Sequence, residues 1–344
     1  MLVMKNWFIA IILLLTCLSA SASKTLDVYL IDVEGGQATL FLFPSGESML
    51  VDTGWPGFDG RDAERIAQVA RQNGIKQIDY LVVTHYHADH VGGVPQLVAR
   101  IPVQNFVDHG PSVEHDKNAD ALFHAYEQAR LGKPHILAKA GDKIPIHGTD
   151  VQIVTAGGDV ISQPLPGAGA PNPLCATAKM RETDPSENAR SIGLVITFGK
   201  FRMTDLGDLT WNKEYEVACP NNKLGTMDLY LATHHGLDQS GNPVIVHALH
   251  PRVALIDNGA TKGASVEAWQ IIHNSPGLED IWQLHYAVAG GADNNAPGSF
   301  IANPEADPKQ DKAYWIKLSA ESNGAFSITN GRTGETKKYP AQGH

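Results

Sequence analysis

The sequence predicts an α/β chain in which two packed, mixed β-sheets are covered on their outer faces by helices. Short β-rich runs and amphipathic segments alternate along nearly all of its 344 residues, in two successive β-rich halves. A Gly- and Pro-rich stretch at 157–188 lies between them, and its lack of periodicity marks a long ordered loop or lid, not a linker between domains. Composition agrees: hydrophobic residues make up 43% and charged residues 19%, which excludes disordered, collagen-like and coiled-coil chains.

Each element has a local cause. Residues 26–33, 38–43 and 49–52 are β-rich runs broken by Glu34-Gly35-Gly36 and Pro44-Ser45-Gly46, the pattern of an antiparallel meander. The 61–73 segment carries Ile66, Val69 and Ala70 on one helical face, with Gly74 as its stop. A buried strand follows at 78–84. Beyond a histidine cluster come a helix at 94–100, a strand at 103–107, a helix at 119–131 and a hairpin over 143–155. In the second half, 191–198 and 201–204 flank Gly199-Lys200 as a hairpin. Strands at 227–233 and 252–256 alternate with helices at 243–249 and 264–273. Trp282, His285 and Tyr286 fall in a β-like run where same-face packing is expected, and Trp211 reads as core or pocket wall. Residues 314–320 and 325–329 form a terminal hairpin around Asn323-Gly324.

A short positive segment at 1–5, an apolar stretch at 7–18 and Ala20-Ser21-Ala22 predict a cleaved secretory leader over 1–22. What remains, 23–344, is expected to be a single secreted or periplasmic domain with no membrane span. In an oxidising compartment Cys175 and Cys219 are expected to pair. The net charge of −10 removes the usual electrostatic footprint for long nucleic acid, so a polyanion would need metals or local cations to hold it.

The strongest chemical signal is Thr84-His85-Tyr86-His87-Ala88-Asp89-His90. A buried strand ends at Thr84, so His85 and His87 project to one side of its exposed end. Asp89 and His90 follow where the chain turns toward a helix. Imidazole with carboxylate suits zinc, iron or manganese.

This loop is preceded by Val51-Asp52-Thr53-Gly54 and followed by Leu206-Gly207-Asp208-Leu209 and Thr233-His234-His235-Gly236. The order resembles the metallo-β-lactamase superfamily across most of residues 26–260. The resemblance implies an αββα sandwich with a dinuclear centre, expected to hold two zinc ions with manganese or iron as alternatives. It implies that His85 and His87 bind the first metal, Asp89 and His90 the second, that Asp208 bridges both and that His235 completes the second. His234 is then left to substrate or to supporting contacts, Asp52 orients the histidine loop, and Asp205 is a weaker competitor of Asp208. Where the superfamily usually supplies a further histidine, this chain has Glu187-Asn188-Ala189-Arg190-Ser191. Asn188, Ser191, a water or His109 are the candidates to fill that place.

The opening Ile31-Asp32-Val33-Glu34-Gly35-Gly36-Gln37-Ala38, the Asn188-x-x-Ser191 spacing and His234-His235-Gly236 resemble more narrowly the hydrolase domain of bacterial competence (DNA-uptake) proteins and phosphorylcholine esterases. The expected function is an exported hydrolase of phosphate esters or phosphodiesters using a metal-bridging hydroxide, with a small or short substrate. Asp89 would orient the nucleophile and take its proton, and Lys262, in a loop after a strand, would meet the substrate anion. The rivals are carbonyl hydrolysis of the β-lactamase or lactonase type and a non-enzymatic metal-binding module.

Overall fold

Alternating burial along the first strand sets the architecture. In β1 (Thr25–Leu30), Leu26, Val28 and Leu30 point into one apolar layer while Tyr29 joins another on the opposite face, the period-2 alternation of a strand buried on both sides. The computed structural model describes residues 25–307 and 310–342. The leader expected at 1–22 lies outside the described residues.

The first half builds β2 (Thr39–Leu42), β3 (Ser48–Val51), α1 (Arg61–Gln72), β4 (Ile78–Val82), α2 (Ala88–Val91), α3 (Val94–Val98), β5 (Val103–Asp108), α4 (Lys117–Arg130) and β6 (His135–Leu137). Next come β7 (Lys143–Ile144), β8 (Asp150–Ala156), β9 (Asp159–Val160), β10 (Gly193–Phe198), β11 (Phe201–Asp205), α5 (Trp211–Ala218) and β12 (Leu229–Leu231). The chain ends through α6 (Pro243–Leu249), β13 (Val253–Ile256), α7 (Val266–His273), β14 (Asp280–His285), β15 (Ile301–Asn303), β16 (Ile316–Glu321), β17 (Phe326–Asn330) and β18 (Thr336–Tyr339).

Two nine-stranded sheets result. The first runs β18-β17-β16-β1-β2-β3-β4-β5-β6, antiparallel as far as β3 and parallel from β3 to β6. The second runs β15-β14-β13-β12-β11-β10-β8-β7 with β9 on β8, parallel from β11 to β15. One apolar layer lies between the sheets, from Leu26, Phe41 and Val82 to Leu194, Leu229 and Trp282. A second packs the first sheet against α1–α4, and a third packs the other sheet against α5–α7. This is the expected αββα sandwich.

The expected elements form within a few residues of their sequence limits. Helix α4 starts at Lys117 because Asp116 accepts the N–H groups of Asn118 and Ala119 as an N-cap. The terminal hairpin gains a third strand, β18, and joins the first sheet beside β1, pairing Asp27 with Ser319. Tyr339 of β18 crosses to the second sheet: its hydroxyl accepts from Trp282 Nε1 (2.9 Å) and donates to Asp280 (2.7 Å). The 157–188 stretch is irregular apart from β9 and 3-10 turns at Pro173–Thr177 and Glu187–Arg190. It is fastened to the end of α5 by the Cys175–Cys219 disulfide and by Asn172, whose amide donates to the carbonyls of Ala218 and Val244.

A second tie between the sheets joins Asp32, just past β1, to His285 at the end of β14 (2.7 Å), both fully buried. Burial opposes ionisation of Asp32, but the hydrogen bond and charge of His285, with Arg65, bring its pKa down to about 2. Burial likewise opposes charge on His285, and Asp32 raises its pKa above the usual 6.5. The Asp32 contribution is present above its unfolded pKa of 3.8 and is lost as pH falls through about 2. The His285 contribution is full below 6.5 and is lost as pH rises through its raised folded value.

Two expectations follow for stability. Asp32→Asn lowers unfolding free energy by about 3 kcal/mol at a pH between the two unfolded values, because it leaves a buried imidazole without its counter-charge. Denaturant titrations across pH measure this, and the loss should shrink in strong acid. Reducing the Cys175–Cys219 bond, which closes a 44-residue separation, lowers stability by about 4 kcal/mol by the chain-entropy relation, read from urea midpoints with and without reductant.

Candidate metal centre

Parallel strands deliver their following loops to one edge of the sandwich. Asp52 follows β3, the 85–90 loop follows β4, Asp208 follows β11, His234 and His235 follow β12, and Asp257 follows β13. The two sheets therefore contribute one side of the cluster each.

Asp89, His90, Asp208 and His235, all buried, place one ligand atom apiece within 4.8 Å of one another. His90 Nε2 lies 3.2 Å from His235 Nε2, 3.4 Å from Asp89 Oδ2 and 3.2 Å from Asp208 Oδ2. His235 Nε2 is 3.3 Å from Asp89 Oδ2. His85 Nε2 stands 3.8 Å from the same Asp208 Oδ2, its ring 4.1 Å from that of His90 and edge-on to His87 at 4.8 Å. His234 Nε2 approaches the same carboxylate at 3.2 Å. The ammonium of Lys262 forms an ion pair with Asp89 and lies 5.1 Å from the Trp55 ring.

His85, His87, His90 and His234 each hydrogen-bond a polar side chain through one ring nitrogen, the arrangement that fixes tautomer and aim in metal-ligating histidines. His235 Nδ1 stands in ion-pair range of Asp257 without a hydrogen bond. Asp52 Oδ2 meets His90 Nδ1 at 2.7 Å, and Asp257 meets His235 Nδ1 at 3.3 Å. The Thr84 hydroxyl lies 3.0 Å from His85 Nδ1, with the Ser191 hydroxyl at 3.5 Å. Glu114 meets His87 Nε2 at 3.1 Å. Ser240, which donates to the Leu209 carbonyl, lies 3.2 Å from His234 Nδ1. The loop bearing Ser240 is held by buried Glu214, which accepts the N–H groups of Gly241 and Asn242; burial pushes this carboxyl up to about 7.

The backbone is strained to make these approaches. Asp52, His234 and His235 have φ of 60°, 57° and 54°, a region costly for residues with a Cβ. Gly36 is required by contact: a Cβ there would stand 2.4 Å from the Asp89 carbonyl oxygen.

Burial and mutual charge set the electrostatics of the cluster. Burial and the neighbouring His90 charge hold the His85 pKa well below normal. Burial also opposes charge on His90 and His235, yet the surrounding carboxylates raise His90 well above its usual value and His235 to about 9. His234 falls to about 4, chiefly through burial. Burial opposes ionisation of Asp89 and Asp208, but the imidazoles hold both well below the usual carboxylate range. His85 Nε2 and Asp208 Oδ1 are buried without a hydrogen-bond partner. Convergent lone pairs, two of them orphaned, fit divalent cations, and the nitrogen–oxygen set suits zinc, manganese or iron.

The structure gathers His85, His87, Asp89, His90, Asp208, His234, His235 and Lys262 at one place, with Asp52 behind His90 and Ser191 behind His85. Asp205 turns away and accepts both bonds from the Gln37 amide (2.9 Å). His109 is engaged by Glu187 (2.9 Å), whose buried carboxylate also accepts from Tyr86 N, Ser112 and Val113 N. Glu114, Asp257 and Ser240 escaped the sequence reading, because lone polar residues in loops carry no spacing signal. Trp211 is a wall of the loop region: its indole donates to Lys179 O, and Arg181 lies 3.7 Å over its ring.

Residues 32–176 match the family described as Metallo-beta-lactamase superfamily; this segment is a domain of that superfamily, and the molecule has its fold. The match includes Asp52 and the 85–90 loop, whereas Asp208 and the His234–His235 turn lie beyond it. Among particular relatives, the chain is 27% identical over 188 residues to ComE operon protein 3 of Bacillus subtilis (strain 168), covering 54% of this chain and 20% of that protein. It is 40% identical over 68 residues to the atrochrysone carboxyl ACP thioesterase of Aspergillus chevalieri, covering 18% of this chain and 20% of that one. The chain thus spans 20% of the length of each of these curated relatives. A solved diphosphatase from the PhnP family aligns with a TM-score of 0.35 at 14% identity, covering 68% of this chain and 87% of its own.

The bracing contacts make a prediction. Glu114→Ala and Asp257→Ala each weaken divalent-metal affinity about 10–100-fold, since the imidazole they hold loses its aim. Competition against a chromophoric chelator measures this, with circular dichroism expected to stay unchanged.

Proposed function

We propose that this chain is an exported, dinuclear metal-dependent hydrolase of phosphate esters or phosphodiesters. The observation that carries the reading is Asp208, a buried carboxylate whose Oδ2 lies 3.8 Å from His85 Nε2 and 3.2 Å from both His90 Nε2 and His234 Nε2, while its Oδ1 accepts no hydrogen bond. A carboxylate so placed is suited to bridging two cations. His85 and His87 would hold one ion with Asp208; Asp89, His90 and His235 would hold the other. Such ions supply Lewis acidity and a water nucleophile at neutral pH.

The chain's own groups do the rest. Asp89 orients the attacking water and takes its proton. Lys262, whose ammonium pairs with Asp89 and lies 5.1 Å from the Trp55 ring, holds a non-bridging oxygen of the ester and stabilises the charge that develops there. His234, braced by Ser240, presents a further hydrogen-bonding nitrogen. A phosphodiester offers two non-bridging oxygens, enough to engage the metal centre and Lys262 together. The −10 charge favours a small or short substrate over long nucleic acid. Export is supported by the leader-like composition of 1–22 and by the Cys175–Cys219 bond. No helix among the described residues is long and apolar enough to cross a membrane.

Metal-loaded protein is expected to hydrolyse bis-nitrophenyl phosphate, and His234→Ala should lower turnover about 100-fold while leaving metal content near that of the unaltered chain. The assay pairs elemental analysis with rates on phosphodiesters, β-lactams, lactones and thioesters. Opening of the carbonyl substrates without phosphodiester cleavage would replace this reading with carbonyl hydrolysis.

A further inference from the structure

Beside the centre lies a stretch of surface that its chemistry does not use. Past Gly54 the chain runs on as Trp55-Pro56-Gly57-Phe58, and this loop is seated directly on the segment that joins α2 to α3. Two glycines permit the approach: a Cβ at Gly92 would strike Pro56, and one at Gly93 would strike the carbonyl oxygen of Thr53. Helix α2 itself begins at Ala88, between His87 and Asp89. The 85–90 loop, α2 and the Trp55–Phe58 loop therefore form one continuous surface.

A groove of about 530 Å³ runs along it. Pro56, Ala88, Val91 and Pro95 line it from the loop and from α2–α3, and Leu122 and Ala125 line it from α4. Among the described residues its lining includes no charged side chain, in contrast to the centre next to it. The α4 side, Asn118 to Ala125, is about 10 Å long at the rise of an α-helix.

Phe58 adds a second observation. Its side chain is 64% exposed, and its φ is 46°, with Gly57, Asp59 and Gly60 beside it at 81°, 52° and 77°. The Arg61 guanidinium lies 4.5 Å over its ring, and Gln96, from the groove, donates to Gly57 O (3.2 Å). A backbone costly for Phe58 and Asp59 thus holds an aromatic ring out in solvent, a combination that stability alone does not call for.

Trp55 joins this apolar surface to the charged centre. It precedes Pro56, its ring stands 5.1 Å from Lys262 Nζ, and Lys262 is paired with Asp89. A ligand whose anionic end meets Lys262 reaches the groove past Trp55, where the surface is uncharged. Charge at one end and apolar walls at the other complement an amphiphile, with few polar groups to orient it and apolar area to hold it.

Resting on the hydrolase reading above, we infer that the substrate is an amphiphilic phosphoester whose apolar ester group lies past Trp55 in the Pro56–Ala88–Leu122 groove while its phosphate meets the metal centre and Lys262.

Metal-loaded protein is assayed with nitrophenyl phosphodiesters whose second ester group is methyl, butyl, hexyl or octyl, each below its micelle concentration. kcat/KM should rise about twofold for each methylene, as for a chain half-buried in an open groove. Calorimetry with the matching alkylphosphonates, which bind without being cleaved, should show a heat-capacity change that grows more negative with chain length. Ala121→Trp, at an exposed position of α4 that lines the groove, should flatten both trends and leave the rate on the methyl ester unchanged. Phe58→Ser, outside α4, should slow the octyl ester more than the methyl ester, so the comparison survives poor folding of the first variant. A parent that cleaves methyl and octyl esters equally well overturns the inference and leaves the hydrolase reading standing. A trend that survives Ala121→Trp overturns it too. A dimer in sedimentation that Ala121→Trp dissociates would assign the groove to a contact between copies of this chain, and the inference falls. If none of the diesters is cleaved, both readings fall.

Discussion

Asp52 is the constraint on which the rest of the centre depends. It is fully buried at the end of β3, where its Oδ1 accepts the N–H of Thr84 (2.8 Å) and its Oδ2 meets the Thr84 hydroxyl (2.6 Å) and His90 Nδ1 (2.7 Å). One carboxylate thereby fixes where β4 stops, which way the histidine loop leaves it and how His90 is rotated. Burial pushes its pKa up even against these partners, so the site carries an energetic cost before any ligand arrives. The left-handed backbone at Asp52 adds to that cost. A group this expensive persists only where the surrounding structure over-determines it, and the β3–β4 pairing and the Thr84 contacts do so here.

The second sheet is locked onto this frame by short-range contacts. The Gln37 amide reaches Asp205 across the sheets, Asp32 reaches His285, and Gly36 passes against the backbone of Asp89 where no side chain would fit. The result is that Asp208 and His235, carried by β11 and β12, meet His85 and His90, carried by β4, with little freedom to relax. Placing ligands on strand ends of two rigid sheets gives a precision that mobile loops do not supply.

Much of this was legible in the sequence because it is written in periodicity and spacing. The meander, the β10–β11 hairpin around Gly199-Lys200 and the His85–His90 cluster all carry local patterns, and the order Asp52, cluster, Asp208, His235 follows successive strand ends. Other parts have no local pattern to read. Glu114 and Asp257 are single acids in loops, and only tertiary folding brings them to His87 and His235. The consecutive left-handed residues His234 and His235 contradict their own backbone preference and are held by neighbours such as Ser240 and Gly263. Strand β18 is short and polar on its outer face, and its place follows from Tyr339 reaching Trp282 on the other sheet.

The charge balance of the seam suggests why stability and metal binding should be one property here. Asp52, Asp89, Asp208 and Asp257 crowd the cluster, with Asp205 a short distance behind, its carboxyl pushed up to about 7 chiefly by burial. Against them stand Lys262 and imidazoles that can carry charge only by overcoming their own burial. Protonated imidazoles hold such a cluster together in the absence of ions, but the same nitrogens cannot then donate lone pairs. Loading cations must therefore release protons and replace the repulsions between neighbouring imidazolium rings with coordination, which makes affinity rise with pH. Divalent cations at this cluster would thus offset the repulsion among its buried carboxylates and imidazoles, and their binding free energy would stand against whatever stability the strained Asp52 and His234–His235 turns cost.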